Sequence, residues 1–273
     1  MDFSEDIDSF FGGRAKGKTL NSSELSVSWL VNKIEGEEIT HEPEIGLRLV
    51  LPRTEKKLQV VVENKAKEIG EILHSDKIQA VSPSSESKKK NILTASMRYI
   101  IQQKEDWNVY SEAGIKIKIP IQPFASLTGG RIFKLDKKWI LDTRAQFVWY
   151  LDDGLSEVTT ANIDHVISKK LLFRIRNSLT WVDKTGLITT VHGPMLFHKI
   201  DNKKAINYYL GAHGKQSPRL HIYNFDFGSV YRQLIYKTWV FFEVGVNGSY
   251  PKSKNWNFVP SAFLKLEMYF GGS

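Results

Sequence analysis

The sequence predicts an all-β fold, a transmembrane antiparallel up-and-down β-barrel of about fourteen strands, with twelve and sixteen as the limits. Three observations lead there. From residue 23 onward, apolar and polar residues alternate in short segments separated by turn-forming residues, with almost no helical period. Tryptophans fall at segment ends, as at Trp29, Trp107, Trp139, Trp149, Trp181, Trp239 and Trp256, where interfacial girdles place them. The polar side of the segments carries charge of both signs. A soluble sandwich or a lipocalin-like barrel alternates too, with its apolar face inside. Fourteen strands, however, enclose more space than side chains fill, because barrel diameter grows with strand number. The inverted arrangement follows, with apolar residues toward lipid and charges toward the lumen.

The first segment, "LSVSWLVN", sets Leu25, Val27, Trp29 and Val31 against Ser26, Ser28, Leu30 and Asn32. "EIGLRLVLP" sets Ile45, Leu47, Leu49 and Leu51 against Gly46, Arg48 and Val50, and "KLQVVVEN" follows. "LTASMRYII" turns Leu93, Ala95, Met97, Tyr99 and Ile101 outward and leaves Arg98 on the other side. In "WNVYSEAGIKIKIP", Val109, Ala113, Ile115, Ile117 and Ile119 oppose Glu112, Lys116 and Lys118. "FASLTGGRIFKL" alternates more weakly and adds Arg131. "WILDTRAQFVWYL" places Leu141, Ala145, Phe147, Trp149 and Leu151 opposite Asp142, Arg144 and Gln146. After the moderate "LSEVTTANIDHV", "LLFRIRNSLTW" opposes Leu171, Phe173, Ile175, Leu179 and Trp181 to Arg174, Arg176, Ser178 and Thr180. "LITTVHGPMLFHKI", "AINYYLGAH", "RLHIYNFDFGSVYRQLI" and "WVFFEVGVN" supply Asp226, Arg232 and Glu243. The closing strand, read from 255 to 270, turns Ala262, Leu264, Leu266, Met268 and Phe270 one way and Phe263, Lys265, Glu267 and Tyr269 the other.

Composition narrows the remaining classes. No run of about 18 apolar residues exists, which excludes a transmembrane helix. The absence of cysteine excludes disulfides, thiolate metal sites and cysteine nucleophiles. The opening "MDFSEDIDSFFGGRAKGKTL" is acidic where a signal peptide is basic and has no apolar core, so the chain as it stands carries no signal peptide. A net charge of +8 suits anionic partners. The basic residues are spread along the chain, so outer-membrane lipid is the expected partner and nucleic acid is not.

Connections supply an independent sign. Turns after even-numbered strands read short ("RTEK", "QKED", "DKK", "ISKK", "DNKK", "YKT"). Those after odd-numbered strands include "EGEEITHEP", residues 66–90, "HGKQSP" and "NGSYPKSKN". Short turns on one rim and longer loops on the other characterise outer-membrane barrels. A bilayer offers no partner for edge N–H and C=O groups, so the last strand is expected to pair with the first.

The segments "LRLVLPRTEKKLQVVVEN", "VYRQLIYKTWVFFEV" and "LKLEMYFG", in that order, resemble an uncharacterised family of Gram-negative outer-membrane β-barrel proteins across residues 44–271. The resemblance implies the barrel and the outer-membrane location and transfers no catalytic or ligand residue. The architecture is also similar to monomeric fourteen-stranded porins. Met268-Tyr269-Phe270 resembles the C-terminal signal read by the barrel assembly machinery, which is thereby an expected partner during insertion.

Motifs for other chemistry are weak. "GGRAKGKT" (12–19) matches a phosphate-binding loop but lacks the preceding buried strand and following helix that chemistry requires. The histidines have no helical metal spacing, and His192 and His198, read as sharing a lumen face, stand too far apart along a strand for one metal. No cofactor or metal is expected. Residues 1–22 read as a flexible periplasmic segment, with Phe10-Phe11 as a lumen plug the alternative, and the barrel occupies 23–273. Residues 66–90 read as a mobile surface loop or a gating helix. The expected pore-lining set is Arg98, Glu112, Lys116, Lys118, Arg131, Asp142, Arg144, Arg174, Arg176, Asp226, Arg232, Glu243, Lys265 and Glu267. The expected function is a small pore for hydrophilic solutes with slight anion preference and no enzymatic activity. A closed or plugged structural barrel and a lipid-modifying enzyme are the alternatives.

Overall fold

The computed structural model describes Ile7, Phe10, Phe11 and residues 23–51, 57–65, 92–104, 106–216 and 219–271. The "GGRAKGKT" motif, the 66–90 stretch and most of the N-terminal segment lie outside them. Fourteen strands run in chain order: β1 (Glu24–Ile34), β2 (Thr40–Val50), β3 (Leu58–Lys65), β4 (Ile92–Gln103), β5 (Trp107–Ile117), β6 (Gln122–Lys134) and β7 (Trp139–Tyr150). They continue as β8 (Gly154–Ser168), β9 (Leu171–Val182), β10 (Leu187–Lys199), β11 (Lys204–Gln216), β12 (Leu220–Tyr236), β13 (Val240–Pro251) and β14 (Val259–Phe270). Each pairs antiparallel with its sequence neighbours, and β14 closes on β1 from Leu25↔Phe270 to Ile34↔Ser261. Closure satisfies every edge, the condition that hydrocarbon imposes. At about 3.3 Å per residue, the twelve-residue β14 extends roughly 40 Å along its axis, enough to cross a bilayer when tilted.

Side-chain direction follows the alternation. On β14, Ala262, Leu264 and Phe270 are exposed, while Ser261, Phe263, Glu267 and Tyr269 are buried. On β7, Trp139, Phe147 and Trp149 point out and Ile140, Gln146, Val148 and Tyr150 point in. The apolar residues that a soluble protein hides are here the accessible ones, among them Met97, Ile101, Ile115, Leu127, Leu210 and Leu264.

Three expectations need correction. The closing strand starts at Val259 rather than 255, because Asn255 and Trp256 adopt left-handed backbone (φ 55° and 61°) and fold Trp256 against Phe225 on the outer wall. The rims are less unequal than the sequence implies, since pairing runs into stretches that read as loops. β11 continues to Gln216, and Thr40–Val50 takes in "THEP", the last four residues of "EGEEITHEP". Trp29 lies in the middle of β1, beside His41 at 5.9 Å, whereas Trp107, Trp139 and Trp239 mark the rim bearing the chain termini and Trp149, Trp181 and Trp256 the opposite one.

Candidate functional site: the barrel lumen

Twelve of the fourteen expected pore-lining residues share the inward face with buried neighbours: Arg98, Glu112, Lys116, Asp142, Arg144, Arg174, Arg176, Asp226, Arg232, Glu243, Lys265 and Glu267. Lys118 sits one position past the end of β5, in the β5–β6 connection. Arg131 departs from the set. It shares its face with exposed Leu127, and its guanidinium lies 5.1 Å from the Trp107 ring and 4.6 Å from the Phe133 ring, on the outer wall near the terminal rim. Glycines at 129 and 130 blank the alternation there and hide the parity of β6. His192 and His198 are also outward. Both lie out of phase with inward Met195 and Phe197, and His192 Nδ1 meets Asn177 Oδ1 at 3.0 Å on the outer face. Among the described residues no serine hydroxyl bonds His192.

The sequence reading missed other lumen charges. Glu42 read as loop and Glu44 opened the segment "EIGLRLVLP" without a side assigned to it, yet the register Ser28↔Glu44 and Leu30↔Glu42 places both inside, and Ser28 donates to Glu44 at 3.3 Å. Arg48, which the alternation had placed, meets Glu24 at 3.8 Å. Asp164 was obscured because β8 also turns apolar Val158 inward.

The charges are organised in pairs. Arg174 donates in a fork to Asp164, Nε to Oδ1 at 2.6 Å and Nη2 to Oδ2 at 2.7 Å, with both side chains buried. Planar two-point pairing of this kind holds a guanidinium more rigidly than a single contact does. Arg98 likewise grips Glu112 Oε2 through Nε (2.9 Å) and Nη2 (2.8 Å), and Ser96 donates to Glu112 Oε1 at 2.5 Å. Arg232, with no exposed side-chain surface, pairs with Glu243 and with Glu267 at 2.8 Å, and Lys265 reaches Glu267 at 3.4 Å. This cluster ties β12, β13 and β14 together beside the closing seam. His213 meets Asp226 at 2.9 Å. Arg176 differs from these. It faces the lumen beside Arg174 and makes no ion pair among the described residues, and its Nε has no hydrogen-bond partner.

Inward glycines make room for the larger groups. A Cβ at Gly245 would lie 2.1 Å from the Phe263 ring, and one at Gly228 would lie 2.7 Å from Tyr209 Oη, which donates to Asn247 Oδ1 at 2.5 Å. Gly245→Val is expected to force Phe263 from its place and lower stability by roughly 1–3 kcal/mol, the range for overpacking. Gly129→Ala, whose Cβ meets nothing within 4 Å, is expected to stay within about 0.5 kcal/mol. Urea unfolding of the two variants in lipid vesicles checks this contrast.

At the rim away from the termini, Gln122 Nε2 donates to Asp153 Oδ2 at 2.7 Å and Lys184 Nζ to Asp153 Oδ1 at 3.2 Å. The Gln122 hydrogen bond, with Lys184 beside it, holds the Asp153 carboxyl below the usual carboxylate range. In the β6–β7 turn, backbone N–H groups of Lys138 and Trp139 do the same for Asp136. Both rims thus carry fixed hydrogen-bonded turns.

Neither a protein-family model nor a curated protein matches the sequence. Solved structures do match in shape. A loop-deletion form of OmpT, an outer membrane protein of Vibrio cholerae, aligns with a TM-score of 0.54 at 10% identity, covering 91% of this chain and 98% of that one. The outer membrane channel DcaP of Acinetobacter baumannii aligns at 0.50 and 8% identity, covering 94% and 100%. A bacterial polysaccharide outer membrane secretin aligns at 0.51 and 8%, covering 94% and 100%. With its apolar outer wall and charged interior, the chain has the fold of the outer-membrane porins and channels, a closed antiparallel barrel, here of fourteen strands.

Proposed function

We propose that this protein is an outer-membrane channel passing small hydrophilic solutes, with a slight preference for anions. The observation that carries the reading is the inner face itself. A sheet closed on fourteen strands turns Arg98, Glu112, Lys116, Asp142, Arg144 and Arg176 into one lumen, and these side chains keep part of their surface accessible while the pairs around Arg174 and Arg232 are buried. Opposed charges across a confined aqueous path focus the field and orient polar solutes.

The anion preference narrows to fewer residues than the sequence suggested. Asp164 neutralises Arg174, and Lys116 and Arg144 have partners of their own. Among the described residues Arg176 makes no ion pair, although Asp226 acts on it electrostatically; it supplies positive charge within the barrel, and Lys118 adds to it at the rim. Arg176→Glu is expected to shift the reversal potential in a salt gradient toward cations. The substitution changes the local charge by two units, and each unit at about 6 Å in water is worth roughly 0.7 kcal/mol, so the shift is about 1.4 kcal/mol, or about tenfold in relative permeability. The measurement is the current through refolded protein in a planar bilayer across a potassium chloride gradient. An unchanged reversal potential in a conducting variant would remove Arg176 from the selectivity account.

A further inference from the structure

Three side chains of the N-terminal stretch lie inside the barrel. Ile7, Phe10 and Phe11 are helical, and their i, i+3, i+4 spacing puts them on one helix face. Ile7 retains 0% and Phe11 1% of its surface. Phe11 meets Phe197 of β10 edge to face at 5.5 Å, and Phe10 meets Phe241 of β13 in the same manner at 5.9 Å. The wall beneath is an apolar patch, with Leu172, Met195, Phe197, Val230 and Phe263 grouped around Ile7 and Phe11. Such a patch is out of place in a water-filled lumen unless something apolar covers it. The chain's own residues do so. The two rings they touch are backed by the lumen's buried arginines, since the Arg174 guanidinium lies 5.5 Å from the Phe197 ring and that of Arg232 lies 4.2 Å from the Phe241 ring. The docking surface is thereby built into the same framework that fixes β9, β10, β12 and β13.

We propose that Ile7, Phe10 and Phe11, seated on this patch, plug the channel, and that their withdrawal opens the lumen. The proposal rests on the channel reading. It assigns the patch a resident occupant from the same chain and makes conduction depend on an autoinhibitory contact rather than on barrel width alone.

The test compares full-length protein with an Ile7→Asp/Phe11→Asp variant in planar bilayers, each first shown to be folded by the different gel migration of unheated and boiled samples. The wild type is expected to conduct rarely or in brief steps. The variant is expected to show at least a several-fold higher mean current, and a synthetic peptide of residues 1–20 added on the side of the chain termini is expected to lower it again. If the double substitution prevents folding, Phe10→Ala/Phe11→Ala, which introduces no charge, is read in its place. Equal currents from wild type and variant would overturn the plug and leave the channel reading standing. Absence of current from both folded proteins would overturn the channel reading and the plug with it.

Discussion

Arg232→Met is expected to cost the folded barrel roughly 3–5 kcal/mol, the range for removing one partner of a buried ion pair. Arg232 has 0% exposed side-chain surface, and it neutralises Glu243 and Glu267, whose side chains are 7% and 2% exposed. Without it, two carboxylates on adjacent strands face each other with Lys265, among the described cations, to balance them. The loss falls on β12–β14, the strands beside the seam where β14 meets β1, so it acts on closure as well as on packing. Replacing the cluster wholesale is a different matter, because apolar residues of similar volume often restore what the broken pair lost. Arg232→Met with Glu243→Leu, Glu267→Leu and Lys265→Met is therefore expected to recover most of the deficit. Urea titration in vesicles of wild type, single and quadruple variants decides the matter. A single variant within about 0.5 kcal/mol of wild type would mean that the cluster is hydrated and contributes little.

The second large effect concerns the other face of the same strand. Leu264, 49% exposed in the isolated chain, lies near the middle of β14 on the outer wall. Leu264→Arg is expected to destabilise the membrane-inserted barrel by about 2–4 kcal/mol, the cost of a basic side chain at mid-bilayer depth. On a water-facing surface the same substitution is worth no more than about 0.5 kcal/mol. Leu264→Arg therefore separates lipid from water as the solvent of that face. A near-zero effect in vesicles would contradict the inverted barrel.

Much of this was legible because β structure has a period of two, and one buried or lipid-facing side specifies strand direction and register together. Fourteen strands, closure, and the inward or outward sense of Leu93–Ile101 and Ala262–Phe270 all follow from alternation. The reading failed where alternation is silent. Gly129 and Gly130 removed the cue that would have put Arg131 outside, and on β10 a lumen face made of Met195 and Phe197 looks apolar on both sides, so the histidines were assigned to the wrong one. Glu42 was lost to a turn-like composition and Glu44 to its place at the very start of a strand segment. The candidate site was half legible. Which charges line the lumen is a matter of parity, but which are cancelled depends on cross-strand neighbours such as Asp164 opposite Arg174, a pairing that no single strand's sequence reveals. The N-terminal anchors show the same limit. Ile7, Phe10 and Phe11 carry a helical spacing, yet the apolar patch they occupy is assembled from residues of six strands, including Leu30 and Ala205.

One face of the sheet is expected to meet hydrocarbon while the other encloses the lumen. The chain has no cysteine, so single cysteines can be placed in turn at positions 262 to 267 of β14 and labelled with a fluorophore without background. Quenching by lipids brominated along their acyl chains then reports contact with hydrocarbon. Strong quenching at Ala262, Leu264 and Leu266 with weak quenching at Phe263, Lys265 and Glu267 is the predicted result. Uniform quenching, none at any position, or strong quenching at the charged positions would contradict it.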